Sequence, residues 1–113
     1  MRQQIISFDT LYPAMRTPGV YMVEDAVTSL WGGDSADTWN GRTFLDRAFA
    51  SCVALHGWTR NPHAFRRLGN PPAERNGHIT VSDFCTHTNA ISFYDSVVVF
   101  ERQTRQEPWH EAR

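Results

Sequence analysis

Two adjacent carboxylates, Glu24 and Asp25, stand directly after the apolar run Gly19-Val20-Tyr21-Met22-Val23. Hard cations such as Mg²⁺ take oxygen ligands from one or two carboxylates and keep water for the rest of their shell. In open α/β sheets, ligand chemistry collects just beyond the carboxyl ends of the strands. The pair is therefore a candidate Mg²⁺ site; the alternative is a strand end that only faces water. Asp83, Cys85 and His87 alternate, so on a strand they would share one face as an acid, thiol and imidazole cluster. As a loop-entry segment they would do no chemistry. Arg60, Arg66, Arg67 and Arg75 lie among Pro71, Pro72 and Gly77. They could grip a phosphate or carboxylate through bidentate hydrogen bonds, or form a solvated surface cluster. His56, His63, His78 and His110 are scattered without ligand spacing and read as surface or packing residues.

The carboxylate pair needs a strand behind it, and the flanking sequence supplies one. From Gln3 to Tyr12, with Met15 beyond, apolar residues recur at three and four residue steps (Ile5, Phe8, Leu11, Tyr12), the period of a helix face, and Pro13 limits that helix. The Thr17-Pro18-Gly19 turn delivers the chain into Val20 to Val23, whose near-continuous apolar character predicts a strand covered on both faces. Helix, turn and strand together read as half of a βαβ unit. Residues 26 to 42 form a turn-rich loop carrying Trp31 and Trp39, which either cap the core or wall a pocket by stacking. Thr43-Phe44-Leu45-Asp46 has capping-box spacing and starts a second helix. Its apolar face continues through Leu45, Ala48, Phe49, Cys52, Val53 and Leu55 toward Trp58. Three strands are predicted in the last third: His78 to Phe84, Ala90 to Phe93 and Ser96 to Phe100. The last two form a hairpin that reverses at Tyr94-Asp95. Gln103 to Arg113 reads as a polar tail, giving a domain over 1–102 and a tail over 103–113.

A length of 113 residues fits one small domain, below the size of a complete nucleotide-binding α/β enzyme. The net charge of −1 offers no basic field for nucleic acid or membrane. No apolar run reaches bilayer length and no secretory signal opens the chain, so a cytoplasmic location is expected. Cys52 and Cys85 have no pairing motif and read as reduced, partly buried thiols. All 11 basic residues are Arg; no mechanism explains that bias.

Taken together, Tyr12-Pro13, Thr17 to Asp25, Thr28-Ser29-Leu30-Trp31 and Ile91 to Glu101 resemble class I S-adenosylmethionine-dependent methyltransferases, in particular the macrocin and mycinamicin sugar O-methyltransferases. The resemblance covers about Gln3 to Glu101. It departs from the family at Gly19-Val20, where Gly-Gly is common, and at Leu30, where Tyr is common. The family's Gly-rich cofactor turn and its Asp-Gly-Ser-His segment, which carries the catalytic base, would lie upstream of Met1.

The resemblance implies an α/β fold: the carboxyl-terminal half of a Rossmann-like methyltransferase, made of helix, strand, helix and a terminal antiparallel strand pair. It implies Mg²⁺ on Glu24 and Asp25, a sugar or small-molecule hydroxyl acceptor near Thr28 and Trp31, and S-adenosylmethionine in the complete enzyme. No catalytic base and no cofactor-binding residue is assigned to this chain, and tight cofactor binding by it alone is not expected. The competing expectation is a truncated, non-catalytic interaction module. A shortened sheet presents an unpaired edge, so a homo-oligomer or a complementing amino-terminal half is an expected partner.

Overall fold

The computed structural model describes residues 3–32, 38–63, 68–69, 71–74 and 79–109. Helix α1 (Gln3–Leu11) runs into a 3₁₀ turn at Tyr12–Ala14, where Pro13 ends α-helical pairing. The chain returns as β1 (Gly19–Val23), passes through a 3₁₀ turn at Ala26–Leu30, and forms a two-residue ribbon, β2 (Thr38–Trp39) with β3 (Arg42–Thr43). Helix α2 (Phe44–Leu55) follows, then a short helix α3 (Asp83–His87), β4 (Thr88–Tyr94) and β5 (Val97–Arg102).

β5 pairs antiparallel with both β1 and β4, giving the order β1-β5-β4 with β1 and β4 parallel to each other. The two helices pack on one face of this sheet. Ile5, Phe8 and Tyr12 project from the α1 segment, Phe44 and Ala48 from α2, and Val23, Val98 and Phe100 from the sheet, all buried. Phe8 sits at the centre, its ring centroid 4.4 Å from Phe100, 5.0 Å from Tyr12 and 5.9 Å from Phe44. Each of the larger of these side chains contributes about 1.5–3 kcal/mol of transfer free energy, so this cluster is the main stabilising element among the described residues. The Thr43 capping box forms as expected: Thr43 Oγ1 accepts from Asp46 N at 3.2 Å and Asp46 Oδ2 accepts from Thr43 N at 2.9 Å. Among the described residues, no helix is long and apolar enough to cross a membrane.

Four expectations are corrected. β1 is not covered on both faces: Tyr21 and Val23 turn toward the helices, while Val20 and Met22 are 60% and 56% exposed on the other face. Antiparallel pairing leaves one face of such a sheet open. The strand expected over His78 to Phe84 does not form in its described part, because Ser82 Oγ accepts from Cys85 N and starts α3 instead. The apolar stripe of α2 is rotated: Phe44, Ala48 and Ser51 face the core, whereas Phe49 and Val53 are exposed. Leu11 likewise points outward, at the end of α1.

The segment after β5, read as a tail, is fastened at its start. Arg105 Nη2 donates to the carbonyls of Cys85 at 2.7 Å and Leu55 at 3.0 Å, and the guanidinium lies over the buried Trp58 ring at 5.2 Å.

Candidate active site

Glu24 and Asp25 lie where β1 gives way to the 3₁₀ turn, and local hydrogen bonding fixes the backbone there. Asp25 adopts the left-handed conformation (φ 57°, ψ 29°), which costs a non-glycine residue on the order of 1 kcal/mol and which Asp tolerates better than most. Its carbonyl accepts from Thr28 N at 3.1 Å and Thr28 Oγ1 at 3.0 Å. The next amide, Ala26 N, donates to the Ser96 carbonyl in the β4–β5 turn at 2.9 Å. On the other side Gln4 Nε2, from α1, donates to the Glu24 carbonyl at 2.7 Å. The turn is thus held by α1, by the hairpin and by its own 3₁₀ segment.

Both carboxylate side chains are exposed, and neither has a hydrogen-bond or ion-pair partner among the described residues. Two unpaired hard-oxygen groups on a fixed turn suit Mg²⁺, which retains several waters. No cluster of three or more metal-ligating side chains occurs among the described residues, so the pair could offer a metal two side-chain ligands and no third. A groove of about 230 Å³ runs from Gln3 and Gln4 along β1 to Glu24, and a cavity of about 200 Å³ lies beyond Ala26, against Leu30, Phe93 and Tyr94.

Thr28 is buried, and its hydroxyl proton is committed to the Asp25 carbonyl. It shapes the turn that carries the carboxylates. Ser29 Oγ accepts from Leu45 N at 3.2 Å, tying the same turn to the start of α2. Trp31 is 53% exposed beside this turn and therefore does not cap the core. The Trp39 side chain lies outside the described residues, as do Arg66, Arg67, Arg75, His78 and His110. Arg60 is exposed.

The Asp83, Cys85 and His87 cluster does not assemble. On helix α3 these residues lie at i, i+2 and i+4: Cys85 is fully buried, while His87 Nδ1 turns back to Asp83 at 3.0 Å. No nucleophile–base pair results. Sequence reasoning missed Gln4 as an anchor of Glu24, because nothing local to residue 4 announces a contact 20 residues away. It also missed Arg102, for which a signal existed: Val98, Phe100 and Arg102 occupy alternate, inward positions of β5.

The fold is similar to that of solved structures of one enzyme. The chain superposes on the MycE methyltransferase from the mycinamycin biosynthetic pathway in complex with Mg and SAH, with TM-score 0.59 and 21% identity, covering 94% of this chain and 25% of that one. For the MycE complex with Mg, SAH and mycinamycin VI the values are 0.61 and 20%, covering 95% and 24%. A second crystal form with Mg and SAH gives 0.60 and 19%, covering 95% and 25%. The chain therefore has the fold of a methyltransferase segment and spans about a quarter of the length of the structures it matches. No protein-family model and no curated protein matches the chain.

Proposed function

We propose that this chain is the acceptor-side portion of an S-adenosylmethionine-dependent, Mg²⁺-dependent O-methyltransferase acting on a sugar or other small-molecule hydroxyl in natural-product biosynthesis. The observation that carries the reading is the exposed, unpaired Glu24–Asp25 pair on a turn held by Gln4, Thr28 and Ser96, within a fold shared with MycE over 94% of this chain. In this reading Glu24 and Asp25 hold the metal, which when bound lowers the pKa of a coordinated acceptor hydroxyl. The rigid turn holds the carboxylates, and so the acceptor, in one orientation, which is where most of the rate advantage of such a transfer arises. The exposed Trp31 offers a flat apolar surface for the acceptor ring. Cofactor binding and the general base belong to the remainder of the domain.

Titration calorimetry on the full chain tests the reading. The expected result is weak Mg²⁺ binding that disappears in Glu24→Gln and in Asp25→Asn, with no uptake of S-adenosylmethionine. Unchanged Mg²⁺ binding in both variants would remove the metal site; micromolar cofactor binding by the chain alone would overturn the division of labour.

One feature favours a second reading, a non-catalytic module that associates through its sheet. Among the described residues, the outer edge of β1 pairs with no strand, and Val20 and Met22 beside it are exposed. Concentration-dependent self-association with no metal binding would select this reading.

A further inference from the structure

A mostly apolar cavity lies at the other end of the sheet from the carboxylate pair. Arg102, on its wall, pairs with Gly19 at the start of β1, whereas Glu24 follows the end of that strand, roughly 16 Å away at 3.3 Å per residue. The cavity measures about 360 Å³, within the size range of small-molecule sites. Three aromatic rings, Phe8, Tyr12 and Phe84, form its apolar walls.

Arg102 is only 6% exposed. Its Nε donates to the Met15 carbonyl at 2.9 Å and its Nη2 to the Pro13 carbonyl at 3.1 Å, with the guanidinium over the Tyr12 ring at 5.2 Å. No carboxylate lies within ion-pair distance of it among the described residues. Buried charges are ordinarily paired, so this cation stands out. The cavity's other charged groups are engaged: Arg47 Nε holds Asp9 Oδ1 at 3.0 Å, and Asp83 Oδ1 is 3.0 Å from His87 Nδ1. The Asp9 and Asp83 side chains are 48% and 70% exposed. The carboxylates are therefore at the rim and the uncompensated guanidinium is inside.

We propose that this cavity binds an amphipathic monocarboxylate, its carboxylate on Arg102 and its apolar body against Phe8, Tyr12 and Phe84. Backbone carbonyls orient the guanidinium but leave its charge uncancelled, which a carboxylate would do. The aromatic walls select a flat or branched apolar body, and the rim aspartates disfavour a second negative charge at the mouth. This site is independent of the Glu24–Asp25 reading and uses none of its residues.

The test is a nuclear magnetic resonance titration of the full chain with phenylacetate, benzyl alcohol and phenethylamine, three probes of similar apolar body and different charge. Phenylacetate is expected to shift the resonances of Phe8, Tyr12 and Phe84 saturably. The uncharged alcohol should bind about tenfold more weakly, as expected for loss of a charge-assisted hydrogen bond, and the amine more weakly still. Arg102→Met should lose the preference for the acid; because that variant removes two buried hydrogen bonds and could unfold, Phe84→Ala is the companion, expected to weaken phenylacetate severalfold while retaining the charge order. Equal binding of acid and alcohol, shifts confined to other residues, or no saturable shift would overturn the proposal.

Discussion

The side-chain amide of Gln4 and the backbone carbonyl of Glu24 are joined by a 2.7 Å hydrogen bond that spans 20 residues of sequence. It connects the first turn of α1 to the carboxylate end of β1, so the position of the Glu24 backbone depends on how α1 is seated. The other amide atom, Gln4 Oε1, is buried without a partner among the described residues. The bond thus comes with an unsatisfied acceptor, and the net contribution of this side chain to stability is small.

Gln4→Met therefore separates stability from positioning. The thioether fills similar space, removes the unsatisfied acceptor and leaves an exposed Glu24 carbonyl that water can reach. The melting temperature should change little, while Mg²⁺ affinity measured by calorimetry falls severalfold. A variant that binds Mg²⁺ as the parent does would show that Gln4 does not position the pair.

The capping box makes a prediction with a pH dependence. The Thr43 backbone N–H, and then its hydroxyl, hold the Asp46 carboxyl below its ordinary pKa. A depressed carboxyl stabilises the fold at pH above its unfolded-state pKa and loses that contribution as pH falls through its folded-state pKa. Thr43→Ala should cost about 1 kcal/mol at pH 7. Asp46→Asn should also melt earlier than the parent at pH 7, and the gap should close below the ordinary aspartate range. Thermal melts followed by circular dichroism at pH 7 and pH 3 check both; a gap as wide at pH 3 as at pH 7 would remove the charge from the explanation.

These cases show which parts were legible in the sequence. The capping box was, because its signal is contained in four residues and closed by local hydrogen bonds. The hairpin was, because Val97 to Phe100 is apolar, but its reversal falls at Asp95-Ser96, one residue beyond the expected Tyr94-Asp95, because Tyr94 still pairs with Val97. The exposed face of β1 was not: Val20 and Met22 have the same apolar character as Tyr21 and Val23, and only the placement of both helices on one side decides which pair is covered. α3 was missed because Asp83, Cys85 and His87 alternate as a strand would, while Ser82 caps a helix that packs Cys85 inward. The Glu24–Asp25 pair was visible, but its anchors Gln4 and Ser96 were not, since both contacts are tertiary.

Gly19 tests the turn that leads into β1. A Cβ there would lie 2.8 Å from the Arg16 carbonyl oxygen and 3.0 Å from Met15 Cε. The first contact is with backbone and cannot swing aside. Gly19→Ala should therefore destabilise by about 1–3 kcal/mol, as overpacking does. A denaturant midpoint equal to the parent's would show that the turn relaxes freely.

Tyr12 and Thr88 share a buried hydrogen bond of 2.7 Å that joins the end of α1 to the start of β4. Thr88→Val leaves the Tyr12 hydroxyl without that partner, at about 1–3 kcal/mol. Tyr12→Phe with Thr88→Val removes both groups and should cost less than the sum of the single changes. Burial raises the Tyr12 pKa, so its contribution is complete below the unfolded tyrosine value and falls away as pH rises beyond it. Strict additivity in urea melts at pH 7 would show that the two hydroxyls do not act as a pair.

Asp25 carries two separable demands, a backbone conformation and a charge, and two substitutions tell them apart. Its φ of 57° is in the left-handed region, which Asn tolerates and a β-branched residue does not. Asp25→Asn should keep the turn, including the bonds from Thr28 to the residue 25 carbonyl and from Ala26 to Ser96, and should melt within a degree or two of the parent. Asp25→Val should cost about 1–2 kcal/mol, because its Cβ crowds the following carbonyl in that conformation. Both variants lose one of two proposed Mg²⁺ ligands, so calorimetry should show metal binding lost in each, despite their different stabilities. If Asp25→Asn were as destabilised as Asp25→Val, the carboxylate would be structural. If it were stable and still bound Mg²⁺ like the parent, the turn would be present without the metal chemistry assigned to it.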